Sequence, residues 1–242
     1  MVGKRRVRRH RWAFPVGVVL LLFAVAGAVS LVSLLIQGVT RVIDNPKEKA
    51  MFEQYLRLVV MHDPDPFDDV QTAKNAAQLL DICMWSLLDD AQSAPTPQEF
   101  PTDDDGNVLI PQQKVENEFK KIFGENAAMP PHTTFDNADY EFSYDPKTKS
   151  YVVPATGALT IYVPRVRSIE KVGNSVKLLV DYLAYDAADW RFDENGVPQE
   201  PEPAKTMLIT LFESNDGYTL GSIQTPQNLQ AILEGTTRIA AK

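Results

Sequence analysis

Apolar positions recur every three or four residues along three stretches of the chain, and every second residue through most of its later half. These are the periods of an amphipathic helix and of a strand. The first helix is predicted to start with Asn45 as cap and Pro46 in the first helical position. Phe52, Tyr55, Leu56, Val59 and Val60 carry its apolar stripe to about Met61. The run His62-Asp63-Pro64-Asp65-Pro66 ends it, because proline cannot continue the hydrogen-bond ladder. A second helix is predicted from about Asp68. Val70, Ala73, Ala77, Leu80, Met84 and Leu87 form one stripe, and Leu79, Cys83 and Leu88 widen it, as expected of a central packing helix. Residues 92–111 hold four prolines and four acids with no sustained period and read as surface loop. Pro111 opens a third helix with Val115, Phe119, Ile122 and Phe123 on one face, closed by Gly124.

From Asp139 the period becomes two. Tyr140 to Tyr144 and Ser150 to Val153 form a short hairpin around Asp145-Pro146-Lys147-Thr148. Leu159 to Val172 and Ser175 to Tyr185 form a longer one, turned at Gly173-Asn174, where positive φ is tolerated. Val176, Leu178, Val180 and Tyr182 alternate with Leu179 and Leu183, so this strand belongs in the sheet interior. Pro164 marks an edge or a bulge in its partner. An acidic, proline-rich excursion at 193–204 precedes a last hairpin, Thr206 to Glu213 and Tyr218 to Gln224. A final helix starts at Thr225 and carries Leu229, Ile232 and Leu233. Helices first and hairpins afterwards predict an α+β fold with helices packed on a curved antiparallel sheet.

That order of elements, with the ending KTMLITLFESNDGYTLGSIQ, resembles the cystatin-like roll of the nuclear-transport-factor-two-like superfamily over about residues 46–225. The segment PKEKAMFEQYLRLVVMHDPDPF resembles an uncharacterised group of membrane-anchored proteins from Gram-positive-type bacteria. The order of elements implies a curved sheet wrapping one face around the long helix; the second resemblance brings no activity with it. The two acidic loops depart from the usual roll and would block or reshape the concave face of the sheet.

Charge changes the picture at the N-terminus. Residues 1–11 hold six of the 24 basic side chains and no acid, and residues 12–40 carry no charge. All 32 acids follow, against 18 remaining Lys and Arg, so the globular part has a formal charge of −14. Such a surface repels nucleic acid. The uncharged run, at about 1.5 Å per residue, spans a hydrocarbon core of roughly 30 Å. The expectation is a basic cytoplasmic tail at 1–11, a transmembrane helix at 12–40 and an extracytoplasmic domain at 44–242, by the positive-inside rule. Cleavage as a signal peptide at Ala24 to Ala28 is the rival, and the length of the apolar run favours an anchor. One cysteine, Cys83, excludes an intramolecular disulfide and reads as a buried small hydrophobe.

Candidate chemistry is sparse. Asp103-Asp104-Asp105-Gly106-Asn107 imitates a calcium loop, but with Gly106 at the sixth position the first is Pro101 and the twelfth Gln112, so the required carboxylates are missing. An acidic turn is the expectation there and at Asp193-Glu194-Asn195-Gly196. His62 and His132 read as helix-end and loop residues. Tyr140, Tyr144, Tyr151, Trp190 and Phe192 read as sheet packing or a binding surface. Rolls of this kind enclose a pocket where a buried carboxylate acts as base, and Asp181, Tyr182 and Tyr185 are placed for that. An ion pair of Asp181 with Arg165 or Arg167 is the simpler reading. Pairing across Gly173-Asn174 sets 165 opposite 182 and brings Asp181 near both arginines if Pro164 makes no bulge. Asp181, Tyr182, Tyr185 and Arg165 are therefore the ligand-binding candidates. No residue is assigned a catalytic or metal-binding role, and no cofactor is implied. The expected function is a membrane-anchored, non-catalytic module of the bacterial cell envelope with a protein or envelope partner. The alternative is a small-molecule pocket protein, sensor or enzyme, using the helix-sheet cavity.

Overall fold

The computed structural model describes residues 41–93, 100–136, 141–153, 160–186, 191–196 and 198–227. The basic tail, the apolar run at 12–40, Tyr140, Trp190 and the body of the expected last helix lie outside them. No helix among the described residues is long and apolar enough to cross a membrane.

Strand β1 (Arg41–Ile43) leads into helix α1 (Pro46–His62). Asn45 caps α1 by accepting from the Lys47 N–H at 3.0 Å, and Pro46 opens it, as the sequence requires. The helix ends one residue past Met61, at the left-handed Asp63, whose N–H reaches Val59 O. Phe52, Leu56 and Val60 are fully buried, each worth about 1.5–3 kcal/mol of apolar burial.

The second helix begins later than its stripe suggests. Asp69 accepts from Gln71 N–H while the Thr72 hydroxyl accepts from Asp69 N–H, and this reciprocal cap spends residues Val70–Thr72 on one 3-10 turn. Helix α2 proper is Ala76–Ser93, buried continuously from Leu79 to Trp85. Its central packing position matches the sequence reading.

The loop expected at 92–111 is corrected in its last part. Val108–Pro111 is strand β2, with Ile110 fully buried. Helix α3 (Gln112–Phe123) follows directly, with Pro111 as N-cap and Gly124 (φ 99°) as C-cap. Strands β3 (Phe135–Asp136), β4 (Glu141–Asp145) and β5 (Ser150–Val153) complete an antiparallel sheet ordered β2-β5-β4-β3.

A five-stranded antiparallel sheet holds the rest of the core. Its strands are β6 (Tyr162–Val172), β7 (Ser175–Ala184), β10 (Lys205–Ser214) and β11 (Gly217–Gln224), ordered β1-β6-β7-β10-β11. Between β7 and β10, a short ribbon of β8 (Arg191–Phe192) and β9 (Pro198–Gln199) stands inside the acidic excursion. As predicted, β7 is interior and buried on both faces. One apolar cluster joins both sheets and all three helices.

Two bulges interrupt the ladders of the five-stranded sheet. In β6, Val166 faces Val180 and Ser168 faces Leu179, so Arg167 is the extra residue. In β11, Leu220 faces Leu211 and Ser222 faces Thr210, so Gly221 is extra. An extra residue raises local twist and re-aims side chains. Pro164 lies beyond the stretch paired with β1, where no ladder N–H is needed. On that open side Glu53 of α1 accepts the Val166 N–H at 2.9 Å. At the opposite margin Phe67 exchanges two backbone hydrogen bonds with Ile223.

Candidate functional site

A groove of about 1080 Å³ lies between α1, α2, α3 and the β10–β11 turn. Its apolar lining comes from Tyr55 and Leu58 of α1, Ile82 of α2, Ile122 of α3 and Leu220 of β11, of which Ile82 and Leu220 are almost fully buried. The Tyr55 hydroxyl donates to Tyr218 O at 2.6 Å, closing the turn end of the groove. Burial, with Glu118 next in effect, pushes the Tyr55 phenol up to about 12.

Glu118 is the polar centre of this groove. It follows Val115 by three residues, so helical geometry turns it towards the buried face, and its side chain is 7% exposed. Oε1 accepts from the Ser86 hydroxyl at 2.7 Å and from Lys121 Nζ at 3.1 Å. Lys121 also donates to Asp90 at 2.8 Å. Burial works against the lysine charge, but the bonds to Asp90 and Glu118 outweigh it and hold the ammonium above its ordinary range. Arg57–Asp89 at 2.6 Å and Lys120–Glu125 at 3.7 Å fix other rim charges. Buried beside this network, Cys83 has its thiol pushed up by burial first, then by Glu118 and Asp81. It is an inert core residue, as its sequence context suggests. Sequence reasoning missed Glu118, although a carboxylate within the stripe Val115, Phe119, Ile122 was the available signal.

A second polar cluster ties α3 to the smaller sheet. His132 Nδ1 lies 2.8 Å from the Tyr151 hydroxyl and Nε2 lies 3.2 Å from Glu116. The His132 ring stacks on Tyr144, whose hydroxyl donates to Gln112, and Gln112 donates to Glu116 at 2.6 Å. With the ring proton on Nε2, Nδ1 accepts from Tyr151. The Gln112 bond, against an opposing effect of burial and with help from His132, holds Glu116 below its usual range. Burial pushes the Tyr151 phenol up, with Tyr144 adding to it. His62 belongs to a separate pair: its Nδ1 meets Asp81 at 3.0 Å beneath the parallel ring of Trp85. Neither histidine shares a site with the other among the described residues, where no three metal-ligating side chains converge.

The four candidates drawn from sequence fall outside the groove. Asp181, 6% exposed, points to the sheet face away from Val180 and Tyr182. Its Oδ2 takes Arg167 at 2.6 Å and its Oδ1 takes the Thr206 hydroxyl at 2.6 Å. The register shifts by one from the expected pairing because of the bulge at Arg167, so Arg165 faces Asp181 across the ladder. Arg165 itself turns to Glu53 and Glu200. Tyr182 is fully buried on the opposite face, under the Lys205 ammonium at 5.0 Å from its ring centre. Lys205 is bonded to Asp63. Tyr185 is 60% exposed at the end of the hairpin. The structure brings Arg165 and Asp181 into register and separates both tyrosines from them.

The acidic turn keeps its carboxylate for its own backbone. Asp103 accepts from Asp105 N–H, Asn107 N–H and the Asn107 amide at 2.8–3.0 Å, with Gly106 at φ 84°. The Asn107 amide is the foremost of the contacts that hold its carboxyl below the usual range.

Comparison with known proteins finds no matching family model, curated protein or solved structure.

Proposed function

We propose that the chain is a membrane-anchored binding module of the bacterial cell envelope. On this reading residues 12–40 hold it in the membrane with the N-terminus cytoplasmic. The outer domain then engages a protein or envelope partner through the groove between the three helices and the β10–β11 turn. The observation that carries the reading is the groove itself: apolar at Tyr55, Leu58 and Ile122, with polar groups converging at Glu118. That combination is the usual composition of a binding site. A non-catalytic role is favoured because the buried carboxylates Glu118 and Asp181 are each held by a cation and a hydroxyl. A general base needs its carboxylate facing a substrate proton. Helix α1 laid across a sheet interrupted by two bulges supports a cystatin-like roll, and the small second sheet is an addition to that plan.

The test is cross-linked co-purification of the full chain from its native membrane, with a C-terminal tag. A reproducible near-stoichiometric partner, lost when the half-buried Leu58 and Ile122 at the groove are both replaced by Asp, is the expected result. Recovery of the chain alone would turn the assignment to the small-molecule pocket, which a volume of about 1080 Å³ also accommodates.

A further inference from the structure

Among the described residues, the charges in the groove do not balance. Its lining includes the carboxylates of Asp89, Asp90, Glu118, Glu125 and Asp216. Arg57, Lys120 and Lys121 are the cations there. Arg57 and Lys120 are engaged at the rim with Asp89 and Glu125. That leaves the Lys121 ammonium to serve two acids at once, Asp90 at 2.8 Å and the buried Glu118 at 3.1 and 3.4 Å.

Lys121 is itself 57% exposed, whereas the carboxylate it serves is almost fully enclosed. Its four-carbon stem is flexible and its ammonium is a compact, well-hydrated charge, so it can move out to solvent once another cation takes its place at Glu118. The Ser86 hydroxyl keeps Glu118 Oε1 in place meanwhile. Beside this seat, Tyr55 and Leu58 offer an apolar wall for the methylene stem of a long cationic side chain.

Resting on the binding-module reading, we infer that the groove takes a lysine or arginine side chain from a protein partner. Its cation seats on Glu118 and Asp90 and displaces the Lys121 ammonium towards water. The resident lysine is a competitor for the seat. The acidic field of the whole domain steers a basic partner towards it.

The competition makes the inference testable with full-length protein in detergent, methyl-labelled at isoleucine and leucine. The ligand is Nα-acetyl-lysine methylamide, with the norleucine analogue as isosteric control. Saturable shifts of the Leu58 and Ile122 methyls with the lysine compound are expected, at least tenfold weaker with norleucine. Glu118→Gln is expected to weaken binding tenfold or more. Lys121→Met is expected to tighten it severalfold, an outcome that simple loss of structure would not produce. Absence of saturable shifts, an equal response to norleucine, or Lys121→Met binding no tighter than wild type would overturn the inference. If the Glu118→Gln chain still recovers its partner by cross-linking while the lysine compound leaves the groove unshifted, the cation seat falls and the binding module stands. Saturable lysine binding without any recovered partner is the reverse result.

Discussion

Asp181 shows how one bulge decides a residue's role. Its carboxylate is nearly enclosed and depends on Arg167, the extra residue of β6. Removing one partner of a buried pair costs about 3–5 kcal/mol, less where one member is partly exposed, as Arg167 is. Arg167→Ala is therefore expected to lose about 2–3 kcal/mol in urea unfolding, while the more exposed Arg165→Ala loses under about 1 kcal/mol. Equal losses would show that the pairing is shared. The phenols of Tyr55, Tyr151 and Tyr182 all hold their protons more tightly in the folded chain, chiefly through burial. The stability they carry is complete below about pH 10 and is lost as pH rises through the folded values. Thermal unfolding is thus expected to fall steeply above about pH 10, with a late-ionising fraction of the eight tyrosines in absorbance at 295 nm. An unshifted single tyrosine titration would contradict it. At this scale the sequence showed that Asp181 would lie near arginines but not which one, because a bulge leaves no mark on apolar periodicity.

Among elements, the helices with strong caps were legible to within a residue: Asn45-Pro46 starts α1 and Gly124 ends α3. The second helix was misjudged at its start because Val70 and Ala73 fit the stripe of Ala77 and Leu80 while the Asp69–Thr72 cap closes a separate turn. Strand β2 was missed because Val108-Leu109-Ile110 is too short to display a period between an acidic turn and a proline. The second bulge is a further case. At Gly221 an added Cβ would lie 2.3 Å from Cε2 of Phe212. Gly221→Ala must therefore turn the Phe212 ring off the sheet and is expected to cost about 1–2 kcal/mol. In a Phe212→Ala background the same change is expected to be nearly neutral, a coupling that a double-mutant cycle of unfolding energies measures. An undiminished cost would place the strain in the backbone instead.

For the whole molecule, the α+β class followed from the order of periods along the chain. The division of its strands between two sheets did not. Tyr151 and Phe142 alternate as any half-buried strand does, and nothing local says which sheet receives them. The groove was equally hidden, since it is assembled from residues as far apart as Tyr55, Glu118 and Leu220. The margins of the larger sheet have a consequence for the chain at high concentration. Unpaired strand edges act as templates on which further copies add, and natural sheets blunt them. Here the Glu53 carboxylate occupies the Val166 N–H beyond β1, and Phe67 seals Ile223 on the other side. Glu53→Ala uncovers one margin without touching the core, and light scattering of that variant is expected to rise with concentration while the native chain stays monodisperse. These few contacts keep encounters between copies of the domain from becoming aggregation.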